Sequence, residues 1–232
     1  RKLMLEPTLN SGTASPRYIF VADNETTVTR RPAYEVTKRV VDCILSGAGL
    51  LVLAPAFLLT ALAVRLDSPG PALFSQTRVG RDGKLFRCWK FRSMYIDAEK
   101  RKAQLLQQNE MSGGVIFKMK QDPRITRVGK FIRKASIDEL PQLWNVFIGD
   151  MSLVGPRPAV RAEVEQYTPY QRGRLQVKPG ITCLWQVSGR SDLNFDEQVK
   201  LDLQYARIRS LGVDFTLLFK TIPAVLFARG AY

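Results

Sequence analysis

The chain has 232 residues, with 35 lysines and arginines against 21 aspartates and glutamates and a formal net charge of +14. This length suits one catalytic unit with an accessory segment, and the basic excess indicates anionic partners: nucleic acid, an anionic membrane surface or phosphate-bearing small molecules. The sequence contains no histidine, which excludes Ser-His-Asp catalysis and His-containing zinc sites. It contains no Cys-x-x-Cys spacing, so we expect the cysteines to be buried as small apolar residues.

Residues 1–33 mix polar runs with one short apolar patch and show no helical period. We interpret them as an N-terminal tail or the remnant of an upstream domain. The first residue, Arg1, suggests a processed product or a piece of a longer protein.

The segment 34–66 contains the candidate membrane element. A basic approach at Lys38 and Arg39 leads into a nearly unbroken apolar run over residues 44–64. As a straight helix this run would extend about 30 Å, enough to cross the hydrocarbon core of a bilayer. Pro55 at its middle removes a backbone hydrogen bond and kinks a helix. The residues leave two interpretations open, a kinked transmembrane helix and a re-entrant helix that returns to the same membrane face.

Residues 67–232 are predicted to form a mainly helical catalytic domain of the α+β class. Two strand-like runs, 73–79 and 84–91, flank an Asp-Gly dipeptide that is typical of hairpin turns. A polar helix is expected over residues 96–109. The Asp-Pro pair at 122–123 has the form of an N-cap followed by proline, and predicts the start of the next helix.

Three amphipathic or apolar helices are expected in the rest of the chain. Apolar residues at i, i+3, i+4 and i+7 predict a helix over residues 136–149, with Gly149 as its stop. A second amphipathic helix begins near Phe195. The last apolar run, 215–227, is too short to span a bilayer, so we expect it to lie in the membrane interface; a buried C-terminal helix is the alternative.

The start of the helix over residues 136–149 carries the candidate chemistry. Ser136 and Glu139 have the spacing of a capping box, and spacing alone favours that structural interpretation. The same geometry places Asp138 in the first helical turn, where free N–H groups and the macrodipole keep a carboxylate ionised and able to act as a nucleophile toward phosphorus. A magnesium ion bound through Asp138 or Glu139 would offset phosphate charge.

Four cations are candidates to neutralise a transferring phosphoryl group: Lys90, Arg92, Arg133 and Arg157. Lys90 and Arg92 lie at the end of the second predicted strand, and Arg133 precedes the carboxylate pair. Prolines on both sides of Arg157 restrict its backbone, which holds its guanidinium toward a phosphate at a reduced entropic cost.

Four longer runs stand in a defined order: Lys-Phe-Arg-Ser-Met at 90–94, Asp-Glu-Leu-Pro-Gln at 138–142, Gly-Asp-Met-Ser-Leu-Val-Gly-Pro-Arg-Pro at 149–158 and Lys-Pro-Gly-Ile-Thr at 178–182. These runs resemble the motifs of the bacterial sugar transferase family, the monotopic phosphoglycosyl transferases. The resemblance covers about residues 34–232, and several long motifs in the right order make it highly specific. It favours catalysis over capping for the carboxylate pair.

The resemblance implies roles for four residues. Asp138 matches the nucleophile, which takes the phospho-sugar from a UDP-sugar, releases UMP and yields a covalent intermediate that polyprenyl phosphate attacks. Glu139 matches its partner in a catalytic dyad. Lys90 and Arg157 match residues that are important for activity.

The resemblance also points to a set of substrate-binding residues. Arg133 matches an anion-binding position, and Lys178 lies within a matching motif. Arg92 shares a motif with Lys90, and Arg190 lies in the run Trp-Gln-Val-Ser-Gly-Arg-Ser-Asp. We expect all four basic residues, Arg133, Arg92, Lys178 and Arg190, to contact substrate.

That last run and the ending Gly-Ala-Tyr are most similar to the larger, hexose-specific members of the family. Those members carry additional membrane helices and a soluble domain before the catalytic unit. The similarity implies transfer of hexose-1-phosphate, commonly galactose or glucose, from a UDP-hexose to undecaprenyl phosphate. Such a step serves capsule, O-antigen or exopolysaccharide synthesis.

The family resemblance further implies a monotopic membrane protein. It favours the proline-broken re-entrant helix at Pro55, although Ala54 stands where smaller members have serine, so a hydroxyl contribution to the kink is absent. We expect a catalytic domain on the cytoplasmic face of the bacterial inner membrane, with membrane lipids as partners. A homodimer is left open.

Two other functions fit the sequence less well. A membrane-anchored basic module that binds polyanions would use the same charge, but the sequence lacks an aromatic-basic stacking platform, so we expect no nucleic-acid partner. A two-carboxylate glycosidase is disfavoured, because adjacent residues on a helix do not face each other across a sugar ring.

Overall fold

The computed structural model describes residues 28–105, 119, 121–188 and 193–226. Its α-helices are α1 (Pro32–Val52), α2 (Ala54–Asp67), α3 (Ala98–Leu105), α4 (Arg127–Lys134), α5 (Gln142–Ile148), α6 (Arg161–Glu165), α7 (Pro169–Arg172), α8 (Leu184–Ser188), α9 (Phe195–Ile208) and α10 (Leu211–Leu226). Its strands are β1 (Leu73–Val79), β2 (Leu85–Phe91), β3 (Ser152–Val154), β4 (Ala159–Val160) and β5 (Gly180–Thr182). The structure therefore combines helices and sheets, as the sequence predicts.

The β1–β2 hairpin forms at the predicted place. Its register runs from Leu73 opposite Phe91 to Val79 opposite Leu85. Asp82 in the turn has a φ of 55°, in the left-handed region that aspartate tolerates better than most residues. Strand β4 pairs with the other edge of β1, so β2 is an edge strand of this three-stranded sheet.

A second, two-stranded sheet pairs β3 and β5 in parallel. Just beyond the strands the backbones approach so closely that a Cβ on Gly155 or Gly180 would collide with the facing chain. Only glycine permits such an approach. The contact brings the loop that carries Arg157 beside the segment that begins at Lys178.

Several apolar clusters support the hairpin, among them the following two. The first cluster contains Val79, Ala159, Val164, Tyr167, Leu175, Phe195, Val199 and Leu203. The second packs β2 against α5 through Phe86, Cys88, Val146 and Met151. Cys88 and Cys183 are buried, as expected, and Cys43 is only partly buried.

The apolar segment forms two helices with a sharp bend. Helix α1 ends at Val52, α2 begins at Ala54, and the two are bent by 60°. Pro55 lies in the first turn of α2 and has no N–H to continue the hydrogen-bond ladder. The predicted kink is confirmed. No single described helix is long and apolar enough for a membrane span, whereas the bent pair together meets that standard of length and composition.

Helix α5 packs closely on a glycine-containing face of α1. A Cβ added to Gly47 would lie 3.2 Å from the ring of Phe147. A Cβ added to Gly49 would lie 3.3 Å from the side chain of Leu143. The apolar stripe predicted for this part of the chain therefore packs in part against the bent helix pair.

Each of the two interpretations offered for helix α10 holds for one side of the helix. Leu217 is buried in a cluster with Val154 and Tyr205. Phe215, Phe219 and Ile222, at i, i+4 and i+7, are exposed. One side of the helix therefore belongs to the core while an apolar side remains uncovered.

Helix α4 begins later than the sequence predicts. Its first residue is Arg127, and the side chain of Thr126 accepts the N-cap hydrogen bond from the N–H of Gly129. Asp122, the predicted N-cap, instead forms a buried ion pair with Arg124. The prediction is wrong because this carboxylate is engaged by a neighbour two residues away.

Candidate active site

Asp138 and Glu139 lie on a 3₁₀ turn, Ile137–Glu139, between α4 and α5. Ser136 precedes the turn with a φ of 55°, and its side chain makes no capping hydrogen bond. The capping box that the spacing alone favoured does not form, since an N-cap residue adopts extended rather than left-handed backbone angles. The single helix predicted over residues 136–149 is divided into this turn and α5.

Glu139 is paired with Lys90, which comes from the end of β2. The Lys90 Nζ and Glu139 Oε1 atoms are 2.5 Å apart. Burial acts to raise the pKa of Glu139, but the charge of Lys90, followed by that of Arg157, outweighs it and lowers the pKa. Glu139 is therefore ionised at neutral pH.

Asp138 differs from its neighbour because burial dominates. Its residue surface is only 9% exposed. Burial raises the pKa of Asp138, Lys90 opposes this shift and Glu139 adds to it, with weaker lowering by Arg133 and Arg157, and the resulting pKa is about 6. The expected stabilisation of the charge by a helix macrodipole is not found, because a three-residue turn lacks the aligned peptide dipoles of a helix.

Glu139 borders a small open cleft. The cleft is lined by Arg78, Cys88, Lys90, Glu139, Gln142, Arg157, Pro158, Gly180, Ile181 and Gln186. Asp138 is not a lining residue and lies beside Glu139. Because three cations and one carboxylate line the cleft, its charge suits an anionic group such as a phosphate.

Arg78, on β1, is a cleft residue that the sequence reasoning missed. Its guanidinium donates to the carbonyl of Pro158 at 2.9 Å and to the side chain of Gln76 at 2.7 Å. In the described part of the chain its Nε is buried without a hydrogen-bond partner. Burial, and then the charge of Arg157, lowers the pKa of Arg78. A basic residue just before a hairpin turn is usually solvated, so the sequence offered no clear signal that Arg78 lines a cleft.

Arg92 directly follows β2, and its guanidinium lies at the turn after α2 instead of in the cleft. Its guanidinium donates to the carbonyls of Pro69 at 2.5 Å and Ser68 at 2.7 Å. Its residue surface is 6% exposed. These bonds hold the turn between α2 and β1, and the position favours a structural role; a substrate contact of Arg92 stays a prediction.

Of the other three expected substrate-binding residues, the structure relates Arg133 to the dyad. Arg133, partly buried in the last turn of α4, is close enough for its charge to lower the pKa of Asp138. The pKa of Lys178 is lowered by burial and then by Arg39 of α1, and Lys178 does not line the cleft. Arg190 lies outside the described residues.

The carboxylate pair can be tested as a magnesium site. Over the described ranges, no three Asp, Glu, Cys or His side chains come together as a metal cluster. Magnesium, however, prefers oxygen ligands, keeps several waters and commonly binds through one or two carboxylates together with substrate phosphates. The Asp138 and Glu139 oxygens fit that requirement when a diphosphate supplies further ligands.

The chain is similar to a known family and to several known proteins. Residues 33–228 match the family described as bacterial sugar transferase. Galactosyl transferase CpsE of Streptococcus agalactiae serotype III is 50% identical over 197 residues, which cover 84% of this chain and 43% of that protein. Undecaprenyl-phosphate galactose phosphotransferase of Salmonella typhimurium is 46% identical over 198 residues, which cover 84% of this chain and 41% of that protein.

A third relative is about as long as this chain. Exopolysaccharide production protein ExoY of Sinorhizobium fredii is 37% identical over 227 residues, which cover 97% of this chain and 100% of that protein. The chain therefore spans less than half the length of the first two relatives and matches the third from end to end.

Proposed function

This chain belongs to the bacterial sugar transferase family, and we propose that it transfers hexose-1-phosphate from a UDP-hexose to undecaprenyl phosphate and releases UMP. The Salmonella typhimurium relative is named for galactose, and a relative of Escherichia coli, 40% identical over 203 residues, is named for glucose-1-phosphate transfer. These names support galactose or glucose as the hexose. The product would begin capsule, O-antigen or exopolysaccharide synthesis. The observation that carries the proposal is the Asp138–Glu139 pair beside a cleft with three cations.

Asp138 is the nucleophile of the proposed reaction. One carboxylate oxygen attacks the phosphorus that bears the hexose, an O–P bond forms, and the bond to the bridging oxygen breaks as UMP leaves with the electron pair. An oxygen of undecaprenyl phosphate then attacks the same phosphorus and releases the Asp138 carboxylate. Because Asp138 is only 9% exposed, we expect its side chain to turn toward the cleft when the diphosphate binds.

The different pKa values of the two carboxyls suit different roles. With a pKa of about 6, Asp138 is mostly ionised at neutral pH and is more basic than an ordinary aspartate, which favours nucleophilic attack. Glu139 has a lowered pKa and stays paired with Lys90. Neighbouring carboxylates whose pKa values are pushed apart are typical of divided catalytic roles.

The cations of the cleft would offset charge on the diphosphate. Arg157 is exposed and can reach a bound phosphate, and Lys90 lies at the carboxylate pair. Arg78 donates to the carbonyl next to Arg157 in the chain, that of Pro158, and thereby holds this loop. Fixed cations around a transferring phosphoryl group stabilise its transition state.

Magnesium is the proposed cofactor. Asp138 and Glu139 would hold it together with oxygens of the bound diphosphate. When bound, the ion would neutralise charge on the diphosphate and on the phosphate of the leaving UMP.

The proposed membrane element is the bent pair of α1 and α2. Leu51 and Val52, next to the bend, are 79% and 77% exposed. An apolar tip between two ends that carry basic residues fits a segment that enters one leaflet and returns to the same face. This arrangement would anchor the cleft on the cytoplasmic face of the inner membrane, near the phosphate of the lipid acceptor.

The transfer reaction can be tested directly. The purified chain is incubated with UDP-galactose or UDP-glucose, magnesium and undecaprenyl phosphate, and UMP is measured. We expect release of UMP with at least one of the two sugars and none from Asp138→Asn. Mass spectrometry without the lipid acceptor should find hexose phosphate on Asp138.

A matched control uses a second aspartate. Asp82→Asn changes an exposed residue of the hairpin turn and should leave UMP release unchanged. Turnover by Asp138→Asn at the parent rate would contradict the covalent mechanism. Tight, salt-dependent DNA binding that survives Asp138→Asn, without UMP release by the parent chain, would instead favour a polyanion-binding module.

A further inference from the structure

Gln142 is a buried side chain of the cleft that has no protein partner. It is the first residue of α5, three residues after Glu139, and it lines the cleft. Only 3% of its surface is exposed. Among the residues that the structure describes, none makes a hydrogen bond with either polar atom of this amide. Because a buried amide without a partner is unfavourable, a ligand in the cleft is the group that can satisfy it.

Buried amides elsewhere in the described chain bond the backbone. Asn145, which is 0% exposed, accepts a hydrogen bond from the N–H of Trp89 at 3.0 Å and donates to the carbonyl of Arg87 at 2.6 Å. Gln198, which is 5% exposed, donates to a backbone carbonyl at 3.0 Å. These amides hold the fold together. Gln142 is equally withdrawn from solvent but is not used in this way.

The cations of the cleft leave a different kind of ligand group for the amide. Arg78, Lys90 and Arg157 offer only hydrogen-bond donors, which suit the oxygens of an ionised diphosphate. An amide also presents a carbonyl oxygen, which can only accept. Phosphate oxygens without protons cannot donate to that oxygen, whereas a hydroxyl both donates and accepts. The Gln142 amide therefore matches a hydroxyl group better than a phosphate.

The position of Gln142 selects the hexose among the parts of a UDP-hexose. Leu140 and Pro141 have right-handed helical backbone angles, and residues three apart on a helix have Cβ atoms about 5–6 Å apart. Gln142 is therefore a neighbour of Glu139 in space. In the proposed reaction the hexose is bonded to the phosphate that Asp138 attacks, and the uridine lies beyond the second phosphate. The hydroxyls nearest to the dyad are then those of the hexose.

We propose that the amide of Gln142 binds a hydroxyl of the hexose and thereby contributes to the choice of sugar. The proposal rests on the transfer reaction proposed above, because that reaction places the hexose next to Asp138. A site that bonds a substrate hydroxyl rejects an analogue without it, since the buried amide is then left unpaired. This discrimination can be measured as binding, without turnover.

The experiment compares the binding of UDP-hexoses with that of UDP by isothermal titration calorimetry. The full chain with Asp138→Asn, which should prevent transfer, is titrated with UDP, UDP-galactose and UDP-glucose in the presence of magnesium and without lipid acceptor. Gln142→Met is then added, which keeps the length of the side chain and removes the amide. We expect the tighter UDP-hexose to bind roughly tenfold more weakly, and UDP to change by less than about twofold.

Monodeoxy analogues of the same UDP-hexose identify the hydroxyl. Each analogue lacks one hydroxyl of the sugar. With Gln142 present, at least one analogue should bind roughly tenfold more weakly than the complete UDP-hexose. With Gln142→Met the same analogue and the complete UDP-hexose should bind equally well, because the partner of the missing hydroxyl is already absent.

Val146→Ala is the matched control for a general loss of stability. Val146 lies on the same helix, is 0% exposed, does not line the cleft and packs against Phe86 and Met151. This variant should lower the melting temperature and leave the ratio of the UDP-hexose and UDP affinities unchanged. A change in that ratio in Gln142→Met therefore reports the lost amide.

Three results would overturn the proposal: equal weakening of UDP and UDP-hexose by Gln142→Met, an unchanged affinity for UDP-hexose, or an undiminished effect of every deoxy substitution in that variant. The first would assign Gln142 to the nucleotide or the diphosphate. If Gln142→Met does not fold, Gln142→Leu is measured by the same criteria. A parent chain that binds UDP-hexose without releasing UMP would contradict the transfer reaction and leave the binding criteria valid.

Discussion

At the scale of single residues, the raised pKa of Asp138 favours its reactivity and lowers the stability of the folded protein. Burial raises the pKa of its carboxyl to about 6 despite the charge of Lys90, whereas an aspartate in an unfolded chain ionises near pH 3.9. The folded protein therefore holds the ionised form less well than the unfolded chain does. At neutral pH this difference lowers the free energy of unfolding.

Asp138→Asn should consequently stabilise the protein while it abolishes transfer. At pH 8 we expect the free energy of unfolding to rise by about 1 to 3 kcal/mol, because the amide has no charge to bury. The gain should shrink as the pH falls from about 6 and vanish below about 4, where Asp138 is protonated in both states. Denaturant unfolding at several pH values measures it.

Glu139→Gln should change the stability of the folded protein in the opposite direction. The pKa of Glu139 is lowered in the folded protein, so its charge contributes stability above the unfolded pKa, and this contribution is lost as the pH falls. This variant should therefore be less stable than the parent at pH 8. A loss of stability in both variants would contradict the pKa difference within the dyad.

At the scale of elements, the packing of α5 on α1 connects the bent helix pair with the dyad. Helix α5 follows the turn that carries the carboxylates, and its Phe147 ring lies close to Gly47. A side chain at Gly47 would push α5 away from α1. The separation of these two helices therefore bears on the position of Glu139 as well as on stability.

Gly47→Val tests this connection. A Cβ at this position lies 3.2 Å from the Phe147 ring, so we expect a loss of about 1 to 3 kcal/mol in unfolding free energy from overpacking, with slower UMP release. Ala48→Val changes the exposed neighbour on α1 and should be nearly neutral. Adding Phe147→Leu to Gly47→Val should recover part of both losses. Equal effects of the two valine variants would contradict the packing argument.

At the scale of the whole molecule, the large exposed apolar side chains are concentrated on the bent pair, with further ones on α5 and α10. Leu51 and Leu66 are each 79% exposed, Leu58 is 73% exposed, and Phe219 on α10 is 69% exposed. Contiguous exposed apolar surface of this kind marks a site of interaction with a membrane or a protein. Its position on the broken helix favours a membrane.

Labelling of single cysteines can decide how the bent pair lies in that membrane. Ala33→Cys and Arg65→Cys place thiols at exposed positions near the start and near the end of the pair, in a background with Cys43→Ala. A re-entrant segment returns to its starting face, so both thiols should react from the cytoplasmic side of inverted vesicles. Reaction of the two thiols from opposite sides would show a span instead.

The sequence by itself determined the features that depend on neighbouring residues. The Asp-Gly dipeptide located the hairpin, Pro55 located the bend, and Gly149 ends α5 in the left-handed conformation with a φ of 94°. Each signal is local, because the backbone preference of one or two residues decides it. The ordered motifs likewise identified the family and singled out the adjacent carboxylates, Asp138 and Glu139.

Only the tertiary structure decided the electrostatics of the site and the roles of its supporting residues. The same basic residue type binds backbone carbonyls at Arg92 and lines the cleft at Arg78. Lys90 meets Glu139 across 49 residues of chain, and Asn145 meets Arg87 across 58. Burial, pKa and hydrogen-bond satisfaction depend on all groups that surround a residue in space. A local sequence pattern contains only the groups that are its neighbours along the chain.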